Sequence, residues 1–284
     1  MPEKNIDYWV HDLSPFLLEF PKNTLGLEGI RYYGLSYLLG FLFAWLFLYF
    51  SDKKEKFPMN AKERSDFITY IILGVLVGGR LGYMLFYDLN DFIANPLLFF
   101  RIDQGGMSSH GGIVGLLFVN FLFAKKSNYN PWSLGDCIVA IGPLGIMLGR
   151  LANFINGELW GKITSVPWAV LFPNSPMSYS TITGLYGIQP RHPSQLYASF
   201  SEGFIPLIYL QYRFWFTKYS SGQLIGEFLI LYSLFRILNE LFREPDAALI
   251  LGLSRGQFYS LFILLIGLVI LSLIHISEPT RRNS

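Results

Sequence analysis

The chain has 284 residues, of which 52% are hydrophobic, 17% aromatic and only 15% charged, with a mean hydropathy of +0.37. Soluble domains carry roughly a quarter charged residues, so this composition excludes an ordinary water-soluble globule and indicates a membrane protein with interfacial Tyr and Trp. A net charge of +2 without a basic aromatic stripe gives no footing for nucleic acid, and a single cysteine, Cys137, excludes internal disulfides and thiolate metal clusters.

Residues 1–31 carry mixed charges and lack the basic start and apolar run of a cleavable signal. They are expected to form an external arm, with Ile6–Phe20 as a short interfacial helix setting Trp9, Phe16 and Phe20 against lipid. A helix needs about twenty apolar residues to cross a bilayer. The candidates in chain order are Tyr32–Phe50, Phe67–Tyr87, Gly111–Ala124, Leu134–Arg150, Glu202–Phe216, Leu224–Leu241 and Gln257–Ser272. The third and fifth are short, so they are expected to tilt little or to line the bundle interior.

Lys53, Lys54, Lys56, Lys62 and Arg64 follow the first span, Lys125 and Lys126 the third, and Arg213 and Lys218 close the fifth. Asp88, Asp91 and Asp103 lie in the opposing loops. Basic residues collect in cytoplasmic loops, which predicts an external N-terminus and a cytoplasmic C-terminus. The expected class is therefore all-α: a polytopic integral membrane protein of about seven transmembrane helices over 32–272. Segment 151–200, with Pro167, Pro173, Pro176, Pro190 and Pro193, becomes a small external loop domain. Leu271–Arg281, LSLIHISEPTR, resembles a translated sequencing-library adapter. The tail 273–284, with the foreign stretch starting near 271, is accordingly expected to carry no functional meaning.

Charged side chains inside such spans are expensive and mark candidate sites. Arg80 follows Gly78-Gly79 and shares a helical face with Tyr83 and Tyr87. Tyr232, Arg236, Glu240 and Arg243 recur at spacings of four and three in the sixth span. Arg150 ends the fourth span and opens the run to Gly161, which holds Asn153, Asn156 and Glu158. Any one arginine alone reads as a snorkelling residue, and Arg236 with Glu240 as a plain i,i+4 pair. Three arginines from three spans, all in the outer half, read better as an anion site, because the guanidinium fork matches phosphate. His110, within the glycine-rich segment 105–112, is a candidate proton acceptor; a histidine at a helix start is the plainer alternative. The four histidines show no metal-ligand spacing, so neither metal nor cofactor is expected. GIQPRHPSQLY at 187–197, with Arg191, His192 and Gln195, reads first as a rigid turn and second as a substrate contact.

HGGI at 110–113, GRLANFINGELWG at 149–161, RHPSQLY at 191–197 and FRILNELFREPD at 235–246 closely resemble the prolipoprotein diacylglyceryl transferase family. YYGLSYLLGF at 32–41 and GGRLGYMLFY at 78–87 extend the likeness, which runs from about Ile30 to Tyr259. The resemblance implies a seven-span enzyme of the bacterial cytoplasmic (inner) membrane with its active site facing outward. Its expected partners are phosphatidylglycerol, prolipoprotein signal peptides with a lipobox cysteine, and membrane lipids. The implied reaction moves a diacylglyceryl group onto that thiol and releases glycerol phosphate, the first step of lipoprotein maturation. Family positions map by motif onto Tyr33, His110, Arg150, Asn153, Glu158, Gly161 and Arg236. Arg80, Asn156, Tyr232, Glu240 and Arg243 occupy further pattern positions. His110, Arg150 and Arg236 are the expected catalytic residues, and the others, with both arginines, are expected to bind the lipid. The segment between Phe172 and Gly187 is short for the family, which bears on preprotein docking.

Only a thiolate attacks well, and a free thiol has a pKa of about 8.5, so the chemistry needs a base or a positive field. His110 would supply the first and the arginines the second; the residue pattern leaves both open. A transporter or flippase for an anionic lipid would use intramembrane arginines equally well.

Overall fold

The computed structural model describes residues 7–21, 28–101, 106–179, 184, 186–245 and 248–282, without the side chains of Tyr87, Ser109 and 277–282. Ile6, the Tyr87 side chain, Asp103, Gly105, Asp246 and the side chain of Arg281, all invoked above, lie outside what is described. The chain is mostly helical. In order come α1 (Tyr32–Lys53), α2 (Ala61–Tyr87), α3 (Leu89–Ala94), a 3-10 turn (Pro96–Phe100), α4 (Ser109–Ser127) and α5 (Pro131–Ile155). The second half continues with α6 (Ser194–Ala198), a π-helical turn (Ser199–Phe204), α7 (Ile205–Phe216), α8 (Gln223–Asn239) and α9 (Arg255–Arg282). Every span expected from hydropathy falls on a helix.

Among the described residues, four helical stretches are long and apolar enough to cross a membrane: Tyr32–Lys53, Ala61–Phe86, Pro131–Ile155 and Arg255–Ile276. The last has a hydropathy of 2.5 with only 11% of its window buried by protein, so lipid rather than water suits its exposed Leu265, Ile266, Leu268 and Val269. The other three expected spans differ for local reasons. α8 has 17 residues, at the lower limit of what a bilayer asks for. α4 is diluted by glycine, asparagine and serine, and the fifth is broken by the π turn.

Two compact units partition the chain. One contains 41–138 among the described residues, the other 7–21, 28–40 and 139–282. In the 41–138 unit, α2 starts on a capping box: Asn60 Oδ1 accepts from Glu63 N at 2.9 Å and Glu63 Oε2 from Asn60 N at 3.0 Å. Ser108 caps α4, and Asn128, in the left-handed region at φ 57°, ends it. The two helices meet along Gly74, Gly78 and Gly82 of α2 and Gly111 and Gly115 of α4. A Cβ at Gly111 would stand 2.2 Å from Gly78 O, and one at Gly115 2.0 Å from Gly74 O. Without a hydrophobic drive between helices in lipid, such backbone proximity supplies the van der Waals packing. Phe67 and Phe123 close one end, their rings 4.8 Å apart, and Tyr129 caps them. Tyr129 donates to Glu63 at 2.9 Å, and burial together with that carboxylate pushes its phenol up to about 12.

The other unit contains α6 to α9, most of α5 and three small sheets, so the described chain is not wholly α. The expected interfacial helix over Ile6–Phe20 is a correction: its described part is extended. Trp9–Val10 (β1) pairs in parallel with Val170–Leu171 (β4), which pairs with Pro190–Arg191 (β7). Phe16–Glu19 (β2) pairs with Gly29–Arg31 (β3), and Ser178–Tyr179 (β5) with Tyr186–Gly187 (β6). Pro15 lacks the donor a helix needs there, and the extended backbone finds its partners across the chain. His11 is buried within this arrangement, its Nε2 2.7 Å from Phe154 O and its ring against Phe154 and Phe172. Cys137 is buried in α5 as an apolar filler would be.

Candidate active site

Three helical elements of the second unit bring charge together. α5 ends at Ile155, and Gly157, at φ 64°, supplies the left-handed residue that terminates it. Leu159 is also left-handed, at φ 58°, a conformation that strains a branched side chain and holds the loop in a tight reversal. This reversal turns Glu158 back onto α5, where its Oε1 accepts from Asn153 Nδ2 at 2.8 Å and Asn156 Nδ2 at 3.4 Å. Asn153 Nδ2 also lies 2.6 Å from Tyr33 Oη, at the start of α1. Gln195 Nε2 donates to Glu158 O at 2.6 Å, while its Oε1 and Asn156 Oδ1 are buried without a hydrogen-bond partner among the described residues.

One turn back along α5, Arg150 Nη2 donates to Glu202 Oε2 at 3.1 Å. From α8, Arg236 Nη1 reaches Glu202 Oε1 at 3.4 Å and Asn239 Nδ2 reaches it at 3.0 Å. Arg236 also pairs with Glu240, four residues on, and Gly256 leaves room for that pair: a Cβ there would stand 2.5 Å from Glu240 Oε1. Glu202 has no solvent exposure, whereas the guanidinium-bearing side chains keep 18% and 14% of theirs. Tyr232, one turn before Arg236, is within electrostatic reach of Glu202, Arg150, Arg236 and Arg243. Arg150, Arg236, Arg243, Asn239, Ser194 and Gln195 line a small cavity of about 220 Å³, its open mouth included.

Of the residues expected from sequence, Tyr33, Arg150, Asn153, Asn156, Glu158, Arg236, Glu240 and Arg243 thus fall in one hydrogen-bonded or cavity-lining group, with Tyr232 within electrostatic reach of it. Gly161 serves a backbone crossing beside it. Its N–H donates to His192 O at 3.0 Å, and a Cβ would meet His192 O at 2.5 Å and Phe242 O at 2.6 Å. Arg191 is buried below, donating to Gly161 O at 3.0 Å and Glu244 at 3.2 Å, so the 187–197 run acts as a rigid support. His192 packs against Tyr197 and Phe242, and burial with nearby Lys162 lowers its pKa.

Arg80 and His110 belong to the 41–138 unit. Arg80 is buried and donates to Leu98 O at 2.5 Å, Gly106 O at 3.0 Å and Phe99 O at 3.1 Å, with its guanidinium over Tyr83. Two of these carbonyls, of Leu98 and Phe99, tie the 3-10 turn to α2. His110 lies in the first turn of α4 and is exposed, while the cap itself is Ser108.

Glu202 and Asn239 were not singled out from sequence, and Gln195 only as a lesser candidate for substrate contact. A charge inside an apolar run was the available signal for Glu202, but it coincided with the edge of a hydropathy window. No group of three or more metal-type ligands exists among the described residues.

The model of the family described as prolipoprotein diacylglyceryl transferase matches residues 23–273. The chain belongs to that family. It is 44% identical over 253 residues to the phosphatidylglycerol–prolipoprotein diacylglyceryl transferase of Solidesulfovibrio magneticus, covering 88% of this chain and 92% of that protein. The Bradyrhizobium diazoefficiens protein of the same name is 40% identical over 279 residues, covering 92% and 95%. That of Pseudoalteromonas translucida is 43% identical over 264 residues, covering 89% and 94%. Family membership makes the chain a transferase of lipoprotein biosynthesis, and its apolar helices make it a membrane protein.

Proposed function

We propose that the chain transfers the diacylglyceryl group of phosphatidylglycerol to the lipobox cysteine thiol of bacterial prolipoproteins. The observation that carries the site assignment is the meeting of Arg150 and Arg236, from separate helices, across one buried carboxylate at a polar cavity. The guanidinium and amide lining of the cavity suits a phosphate headgroup, with the acyl chains left to the bilayer. The cavity wall carries three guanidiniums, of Arg150, Arg236 and Arg243, and these are the groups a phosphodiester anion would meet.

In the reaction the thiolate sulfur attacks the glyceryl carbon, a carbon–sulfur bond forms, and the carbon–oxygen bond to phosphate breaks with its electron pair leaving on glycerol phosphate. Arg150 and Arg236 neutralise that departing charge in a water-poor site. Asn153, Asn156, Glu158 and Tyr33 orient the headgroup, and Gln195 Oε1 offers an acceptor to a glycerol hydroxyl. The thiol proton goes to His110, or ionisation is driven by the arginine field alone. His110→Gln separates these: a loss of at least about a hundredfold in transfer rate supports the base, and near-normal turnover assigns the field.

Seven spans over 32–272, an external N-terminus and arm over 1–31, an outward-facing site with loops from 151–200, and the cytoplasmic membrane complete the reading. It is supported by the helices under all seven apolar segments and by the placement of lysines and arginines. Residues from about 271 stand outside it, close to where the family match stops at 273. The purified protein in phosphatidylglycerol vesicles with a synthetic lipobox peptide should add the diacylglyceryl mass to the peptide cysteine. Movement of unchanged lipid without any mass gain would indicate a lipid transporter instead.

A further inference from the structure

The described residues hold one fully buried carboxylate that touches both arginines of the site, and the reaction above gives it no role. Glu202 lies in the π-helical turn Ser199–Phe204, between α6 and α7. A π turn adds a residue to the helical repeat, rotating the side chains that follow, and such turns recur at functional sites because they re-aim a residue without ending the helix. Here the turn is anchored to α5. Ser199 Oγ donates to Met147 O at 3.0 Å, and a Cβ on Gly203 would stand 2.6 Å from Met147 Cα. Glu202 is thereby aimed between α5 and α8, where its two oxygens take different arginines, and Asn239, itself tied to Ser201 Oγ at 2.7 Å, fixes Oε1.

A carboxylate buried merely for stability is poorly motivated, because well-packed apolar residues of similar volume usually serve as well or better. The arrangement has another use. Two long guanidinium side chains facing one cavity repel each other and would swing apart, and a fixed anion between them sets their separation and the direction of their free N–H groups. We propose that Glu202 is a positioning residue that holds Arg150 and Arg236 as a single preorganised clamp for the lipid phosphate. This rests on the transferase reading given above.

The test compares Glu202→Gln and Glu202→Asp with the parent protein in phosphatidylglycerol vesicles, following transfer to the lipobox peptide and thermal unfolding in detergent. Glu202→Gln keeps the shape but removes the charge. Glu202→Asp keeps the charge on a shorter arm that meets only one arginine. Misplacing reacting groups by about 1 Å costs on the order of a hundredfold in rate. Each variant is therefore expected to lose at least about tenfold in kcat with KM for the lipid changed less than about threefold, the pattern of an interaction realised in the transition state. The aspartate variant should also unfold at the parent temperature, a combination a purely structural carboxylate would not produce. A folded Glu202→Gln with parental kcat overturns the proposal. Should the glutamine variant not accumulate, parental kcat in Glu202→Asp overturns it equally. A parent protein that transfers no diacylglyceryl mass would instead defeat the transferase reading itself, so the two failures are distinct.

Discussion

Arg150→Lys and Arg236→Lys are each expected to insert and unfold like the parent chain yet transfer diacylglyceryl groups at least about a hundredfold more slowly. Lysine keeps the positive charge that Glu202 needs, so the buried carboxylate stays compensated. It cannot reproduce the planar fork that addresses a carboxylate on one side and a phosphate on the other. Alanine at either position should abolish transfer as well, but with a second signature. Removing one partner of a buried ion pair costs about 3–5 kcal/mol, because the remaining charge is stranded. Glu202, without solvent exposure, would lose one of its two arginines and keep the other, so the cost falls below that figure without vanishing. Alanine variants should therefore unfold at visibly lower temperature, and lysine variants should not. Mass spectrometry of the peptide product with thermal unfolding in detergent reads both quantities. Turnover within fivefold of the parent in the lysine variants would mean that charge alone suffices, and normal turnover in an alanine variant would remove that residue from the site.

How much of this was legible in the residues varies with the range of the interaction. All seven apolar segments lie on helices, because hydropathy reports a local property that lipid rewards along the whole segment. Boundaries were less visible where polar residues are buried by protein. The fifth span, expected from Glu202 onward, is helical from Ser194. Ser194, Gln195 and Glu202 look like the end of an apolar run only until their partners on α5, α8 and the Glu158–Leu159 loop are seen. The N-terminal arm failed in the opposite sense. Its tryptophan and phenylalanines suggested an interfacial helix, but β1 finds its partner in Val170–Leu171, a pairing no local pattern encodes. Among the site residues, the spacing of Tyr232, Arg236, Glu240 and Arg243 on one helical stripe was readable from period alone. Arg80 shows the limit of reading by residue type. An arginine after two glycines suggested an anion, and nothing in residue type announces that the carbonyls of Leu98, Phe99 and Gly106 are among its acceptors.

The glycines of the 41–138 unit carry the second large effect. Gly111→Ala and Gly115→Ala should each prevent stable packing of α4 on α2, with little protein recovered from membranes and transfer lost with it. The added methyl groups would stand 2.2 Å and 2.0 Å from the backbone carbonyl oxygens of Gly78 and Gly74. Neither oxygen belongs to a flexible side chain, so the strain is relieved only by separating the two helices. Overpacking by a methyl usually costs about 1–3 kcal/mol, and a rigid backbone neighbour puts these sites at the upper end. Alanine is otherwise the better helix former by about 1 kcal/mol, so propensity alone predicts stabilisation, and the sign of the result discriminates between the two effects. Gly112→Ala is the internal control. Its nearest neighbour would be Val75 O at an ordinary 3.8 Å, and recovery should equal or exceed that of the parent. The three substitutions fall within five residues of one another, beside His110, so differences among them report backbone contact rather than general disturbance of the segment. Equal recovery of all three would show that α2 and α4 tolerate a wider spacing, and the close glycine seam would then not be what holds the pair together.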